Sequence, residues 1–346
     1  MAKSKDERTD STGGPAAKIG RPKPVGSARK VVAKADAQGS ARAARRISAE
    51  GSRAQSPAIR SSPTRARRRP IDSDSLAVGE SIGGLMNAPP RVRRCFARAT
   101  DLNGQELVPD GQRTPLSTMI FGGQGGEVRL KLYLTLVWLG VRTPWAVQDV
   151  PYSVWAQLFG LPQPETNGAH RIGDAVTWLE NHGFIIANRQ QGRTTRLAPR
   201  RENADADYLP PQFDEDNKLV PGDGYFRLPR ELWTMGWMSV LSGAALTCLI
   251  ILFDEGSGKD TGGLHHEGTN HDYTDLGEFP TAWLSESQLE KRYRVSFDLW
   301  EKGLAELTEW GLVERSWAKH APAFEGRRRR RLSRIVMSAI RRGPQP

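Results

Sequence analysis

Apolar positions fall into two similar series along the chain, separated by a polar stretch. In the later series, residues 242–253 are apolar on nearly all sides, which predicts a buried helix. Ser285, with Glu286 behind it, reads as an N-cap opening a short helix over 286–293 with Leu289 inward; Arg294 and Val295 make a turn. Ser296 caps the next helix, in which Phe297, Trp300, Leu304 and Leu307 form one apolar stripe. Gly311 stops that helix at the C′ position that favours glycine. Strand-like runs at 312–316 and 328–336 then predict a hairpin around a loop containing Pro322 and Gly326.

The earlier series repeats this order. Helices are predicted over 128–139, 152–159 and 168–181, with a turn at Gly160, Leu161 and Pro162 and a stop at Gly183. Ile172, Ala175, Val176 and Leu179 supply the inward stripe of the last helix, and strands at 184–188 and 193–197 flank a turn at Gln190, Gln191 and Gly192. The expected fold class is therefore mainly α with small β-hairpins (α+β). Residues 1–90 contain no Trp, Tyr or Phe and cannot bury enough apolar surface to offset chain entropy, so they are expected to form a disordered tail. The expected division is the tail 1–90, a first domain 91–199, an acidic linker 200–224 and a second domain 225–346. The linker reading rests on Pro210, Pro211, Pro221 and six carboxylates between Glu202 and Asp216. A Gly/His/Asp-rich run at 255–278 reads as a loop insertion, and Trp233, Met235, Trp237 and Met238 are expected to pack across the open end of the apolar helix.

Charge adds a second pattern. Fifty Lys and Arg against 39 Asp and Glu give the 346-residue chain a net charge of +11. The tail carries about +10 of this and residues 317–346 about +8, whereas 91–316 come to about −7. The basic ends suggest an anionic partner and bear on affinity rather than fold. The strongly apolar part of 232–253 is too short to span a bilayer, and no apolar run follows the basic N-terminus as a secretion signal would require. The two cysteines, Cys95 and Cys248, exclude a disulfide scaffold and a multi-thiolate metal site. A cytoplasmic, nucleoid-associated protein that is not membrane-bound is the expectation.

The run at 284–313, LSESQLEKRYRVSFDLWEKGLAELTEWGLV, resembles the helix-turn-helix and wing entry of bacterial winged-helix regulators of the GntR and MarR kind. Their pattern falls on Ser285, Leu289, Val295, Ser296, Leu304, Leu307, Gly311 and Val313, and a weaker version lies within 150–186. Two such units in tandem are similar to plasmid replication initiators. The resemblance implies two winged-helix domains after the basic tail and a sequence-specific double-stranded-DNA-binding protein, either a replication initiator of a plasmid or mobile element or a transcriptional regulator. A homodimer and proteins of replication or transcription stand as further candidate partners.

In such proteins the second helix of the motif enters the major groove and the hairpin touches phosphate or the minor groove. The expected DNA-binding residues of the first unit are thus Asn167, His170, Arg171, Asp174 and Thr177, with Arg189, Gln190, Arg193 and Arg196 on its hairpin. Arg and Asn suit guanine and adenine edges respectively. In the second unit the outward face carries Ser296, Asp298, Lys302 and Glu306, which suits a polyanion poorly. Its hairpin compensates with Lys319, His320, Arg327, Arg328, Arg329, Arg330 and Arg331. The alternative is a non-catalytic assembly protein that uses its winged helices for protein contacts and its tail for nonspecific nucleic-acid binding.

Smaller signals complete the reading. Gly20-Arg21-Pro22-Lys23 resembles the core of an AT-hook, which makes Arg21 and Lys23 minor-groove candidates. His265, His266 and His271 lie near Asp260, Glu267 and Asp272, but without a second ligand pair of defined spacing a hydrated loop is preferred to a metal site. Asn270 stands where the second His of a His-Glu-x-x-His zinc motif would fall. No phosphate-loop or Gly-x-Ser-x-Gly pattern occurs, so no enzyme activity, cofactor or metal is expected.

Overall fold

The computed structural model describes residues 72–345 apart from 87, 101–105, 110, 122–124, 141–144, 217–218, 221–222, 258–281 and 318–330. These residues form a mixed α/β structure of helices and short antiparallel two-stranded ladders. It opens with α1, Ser73–Leu85, capped by the Asp72 carboxylate, which accepts from Asp74 N at 3.2 Å. This helix corrects the expected tail boundary at 90. Its buried face is Ser75, Gly79, Ile82 and Gly83, small residues that carry little apolar signal but allow close approach. A Cβ on Gly79 would lie 2.2 Å from Trp233 O, so the helix backbone rests almost directly on the chain around Trp233.

Next come β1 (Arg91–Arg93), the one-turn α2 (Arg94–Ala97), α3 (Pro115–Ile120) and α4 (Gly126–Leu139). Eleven of the 14 residues of α4 are buried, which makes it a central element rather than an amphipathic surface helix. After α5 (Tyr152–Leu158), a sharp corner brings Gly160 to φ +61° and Gln163 to φ +51°. A π turn, Pro164–Gly168, then leads into α6 (Ala169–Asn181). The hairpin of β2 (Ile185–Asn188) and β3 (Arg196–Pro199) follows, with Ile185 opposite Pro199. The second strand begins three residues later than the apolar pattern predicts, because Leu197 is its first buried position.

The stretch read as an acidic linker is partly interior. Glu202, Tyr208 and Asp223 are buried, and Glu202 and Asp223 both bind Arg93. The chain then enters β4 (Tyr225–Arg227), which pairs with β1 through Val92 and Phe226. Two short helices, α7 (Glu231–Thr234) and α8 (Trp237–Val240), precede the apolar α9 (Gly243–Ser257). Trp233 and Trp237 are buried and donate their indole N–H groups to Thr135 Oγ1 and Ile340 O, each at 2.8 Å.

Beyond residue 281, α10 (Glu286–Gln288) opens with a capping box on Ser285 and continues as a π turn, Leu289–Tyr293. Arg294 takes φ +54° at the turn, and Ser296 caps α11 (Phe297–Glu309). The hairpin β5 (Val313–Trp317) and β6 (Arg331–Ile335) and a final helix α12 (Met337–Arg342) end the described chain. Among the described residues no helix is long and apolar enough to cross a membrane.

The two halves match in detail. Both α6 and α11 have 13 residues and end before a glycine at φ +75° or +71°. Phe184 N and Leu312 N then close on Leu179 O and Leu307 O, each at 2.9 Å. Val313 faces Ile335 as Ile185 faces Pro199. A third segment joins each hairpin through one isolated bridge, Val147 with Leu197 and Ala282 with Ser333. One residue of strand produces no periodicity, so these bridges were invisible in the apolar pattern. A single hydrophobic cluster runs through both halves.

Candidate nucleic-acid interface

The first half offers a polar face built on α6. Its apolar stripe, Ile172, Ala175, Val176 and Leu179, is buried, which turns His170, Arg171, Asp174 and Thr177 outward. Asn167 is also exposed but sits in the π turn before α6, where its amide donates to Gln163 Oε1. That bond occupies one of the two amide hydrogens of Asn167.

The base of the hairpin closes against this helix. Tyr152, Glu165, Thr166, Ala169, His170, Gly173, Asp174, Thr177 and Arg189 line one open groove of about 410 Å³. The expected contacts His170, Asp174, Thr177 and Arg189 are thereby brought together; Asn167, Arg171, Gln190, Arg193 and Arg196 lie outside the groove lining but are exposed. Tyr152, Glu165 and Thr166 were missed, since α5 carries no charge and a lone carboxylate in a turn reads as solvated. The Tyr152 hydroxyl lies 3.3 Å from Thr195 Oγ1 and ties the start of α5 to the hairpin.

Electrostatically the groove is mixed. Glu165 and Asp174 line it, and Arg189 is drawn to Glu180 at 2.7 Å in an exposed pair of small energetic value. Arg171, Arg193 and Arg196 are exposed and have no ion-pair partner among the described residues, so their charges are available to an anion. The far end of α6 is fixed by stacking. The Arg129 guanidinium lies 4.3 Å from the Trp178 ring centroid, and His182 stacks on the same ring at 3.7 Å. Burial holds the Arg129 guanidinium below its usual range.

The second half presents different chemistry at the same positions. Counted along α6 and α11, His170, Arg171, Asp174 and Thr177 correspond to Asp298, Leu299, Lys302 and Ala305. Lys302 and Asp298 are exposed, and Phe297 is 40% exposed beside them. Ser296 is engaged as the cap, its Oγ accepting from Leu299 N at 3.3 Å. Glu306, read as outward, instead turns back: its carboxylate accepts from Ser242 N at 2.8 Å and closes the start of α9. Glu301 is held by Arg315 at 2.8 Å. Two of the acidic groups on α11 thus serve as internal ties, which residue spacing alone could not distinguish from solvent-facing charge.

Other expected residues lie outside the described residues: Arg21, Lys23, Lys319, His320, Arg327, Arg328, Arg329, Arg330 and the histidines at 265, 266 and 271. Arg331 begins β6 opposite Trp317. Among the described residues no group of His, Cys, Asp and Glu is arranged to hold a metal ion. No protein-family model, curated protein or solved structure matches the chain.

Proposed function

We propose that this chain is a sequence-specific double-stranded-DNA-binding protein built on two winged-helix units, with the first unit reading bases and the basic ends supplying nonspecific attraction. The observation that carries the reading is the solvent-facing polar side of α6 beside a hairpin that bears the exposed Arg193 and Arg196, which have no ion-pair partner among the described residues. A helix so flanked presents its early residues to base edges while the hairpin meets phosphate. The repeated register of helix, turn, helix and hairpin supports assigning one architecture to both halves. Initiation of replication on a plasmid or mobile element and promoter regulation are both uses of such a protein.

The second unit is proposed to contact protein, because Asp298, Leu299 and the exposed Phe297 replace His170, Arg171 and Ala169 at the start of its helix. This feature is also what favours the alternative, a non-catalytic assembly protein. Competition binding with the full chain separates the readings. Arg171→Ala is expected to narrow the gap between preferred and unrelated duplexes, at about 1–3 kcal/mol for a base contact. Arg193→Ala with Arg196→Ala is expected to weaken all duplexes alike and to lower the salt slope by about 1 per lost phosphate contact. Equal loss on every duplex from Arg171→Ala removes α6 as the reading helix.

A further inference from the structure

The groove beside α6 carries two carboxylates, Glu165 and Asp174, on a surface proposed to meet a polyanion. Its arginine, Arg189, is drawn to Glu180 at 2.7 Å, and the exposed Arg171, Arg193 and Arg196 stand outside the lining. A carboxylate placed there repels phosphate and weakens every duplex alike, unless a donor on a base edge meets it.

Asp174 is the better placed of the two. It lies on α6 three residues after Arg171, at the neighbouring outward position, whereas Glu165 sits in the π turn before the helix. Its side chain is exposed, and among the described residues it is neither hydrogen-bonded nor ion-paired, so both oxygens are open to an outside donor. The amino groups of the major groove are cytosine N4 and adenine N6. Adenine sets its N7 acceptor beside N6, which a carboxylate meets unfavourably; cytosine presents N4 without such a neighbour on its own ring. Residues three apart on a helix have Cβ atoms about 5–6 Å apart, against a step of roughly 3.4 Å between bases. Arg171 and Asp174 therefore address the same base pair or adjacent ones.

We propose that Asp174 is a specificity-determining residue, accepting from cytosine N4 beside the guanine that Arg171 contacts and lowering affinity for duplexes that lack cytosine there. This role rests on α6 being the reading helix. It adds the identity of one base and the repulsive half of the selection.

The test selects a motif from a random duplex pool with the full chain, then measures single-base variants of that motif and one unrelated duplex. Asp174→Ala and Asp174→Asn are measured alongside, and neither removes a contact of the fold. For the unaltered chain, one cytosine is expected whose replacement weakens binding at least about fivefold. In Asp174→Ala that preference is expected to shrink to about twofold or less while the other positions persist, and Asp174→Asn is expected to turn the same position toward adenine, which an amide matches. Both variants are expected to bind the unrelated duplex about two- to fivefold more tightly at low salt, the gain fading as salt rises. Cytosine preference kept by Asp174→Ala, or no tighter binding of the unrelated duplex, would overturn the role of Asp174 and leave α6 in place as the reading helix. The absence of any motif from the unaltered chain would overturn both.

Discussion

Arg93 is 1% exposed and is held by Glu202 and Asp223, each at 2.7 Å, while its remaining nitrogen donates to Leu209 O at 2.8 Å. A buried charge so completely partnered tolerates the interior, but removing one partner leaves it uncompensated. Glu202→Ala is expected to lower stability by about 3–5 kcal/mol in denaturant unfolding. Burial tends to raise the Asp223 carboxyl, but hydrogen bonds from Arg93 and Gln212 N and the charges of Arg93 and Arg201 outweigh it and hold the group below its ordinary value. A depressed carboxyl stabilises the fold above its unfolded value of about 4, and that contribution is lost as pH falls through the folded value. The melting temperature should therefore fall in acid below about pH 4, less steeply in Asp223→Asn. The opposite sign applies at Tyr133, Tyr208 and Tyr293, where burial leads the causes that raise the phenol. Tyr293 also shares its proton with Asp254 and Glu255, at 2.7 and 2.6 Å. Their stabilisation is complete below the unfolded value of about 10 and lost above it, so three of the six tyrosines should ionise only as the chain unfolds in base, which tyrosinate absorbance would follow. Ionisation of all six before loss of helical circular dichroism would contradict this.

Among the elements, the crossing of α11 over α9 is set by Gly303, where a Cβ would meet Ala244 O and Cys248 Sγ at 2.4 Å each. Gly303→Ala must spread the helices and is expected to cost about 1–3 kcal/mol despite the better helix propensity of alanine. An unchanged unfolding midpoint would show that the two helices separate freely. This glycine lies within the apolar stripe read from Phe297, Trp300, Leu304 and Leu307, and the stripe is why the helix was legible from sequence. The same holds for α6, where Ile172, Val176 and Leu179 mark the inner face and leave His170, Arg171 and Asp174 outside. Legibility failed where burial depends on small residues or distant pairing. Gly79 and Gly83 look like tail composition until Trp233 and Thr234 are placed against them. Arg91 to Arg93 pair with Tyr225 to Arg227 across more than 130 residues, which no local pattern records. Glu202 and Glu306 look solvated in sequence because their partners, Arg93 and Ser242, are far along the chain.

At the scale of the molecule, residues 200–224 are tied to Arg93 of the first half through Glu202 and Asp223 and are not a free linker. A continuous core joins α4, α6, α9 and α11, so the two proposed winged helices move as parts of one body rather than as beads on a tether. The net charge of +11 comes from the first 90 residues and the last 30, and in the proposed reading it bears on how tightly duplexes are held. In the proposed function, choice among duplexes rests on α6. The central claim is tested most directly by selecting bound fragments from a random duplex pool with the full chain at moderate salt and sequencing them. The account predicts enrichment of one motif that disappears with Arg171→Ala while total binding persists. Retention of the pool without enrichment, or an identical motif in the variant, would contradict it.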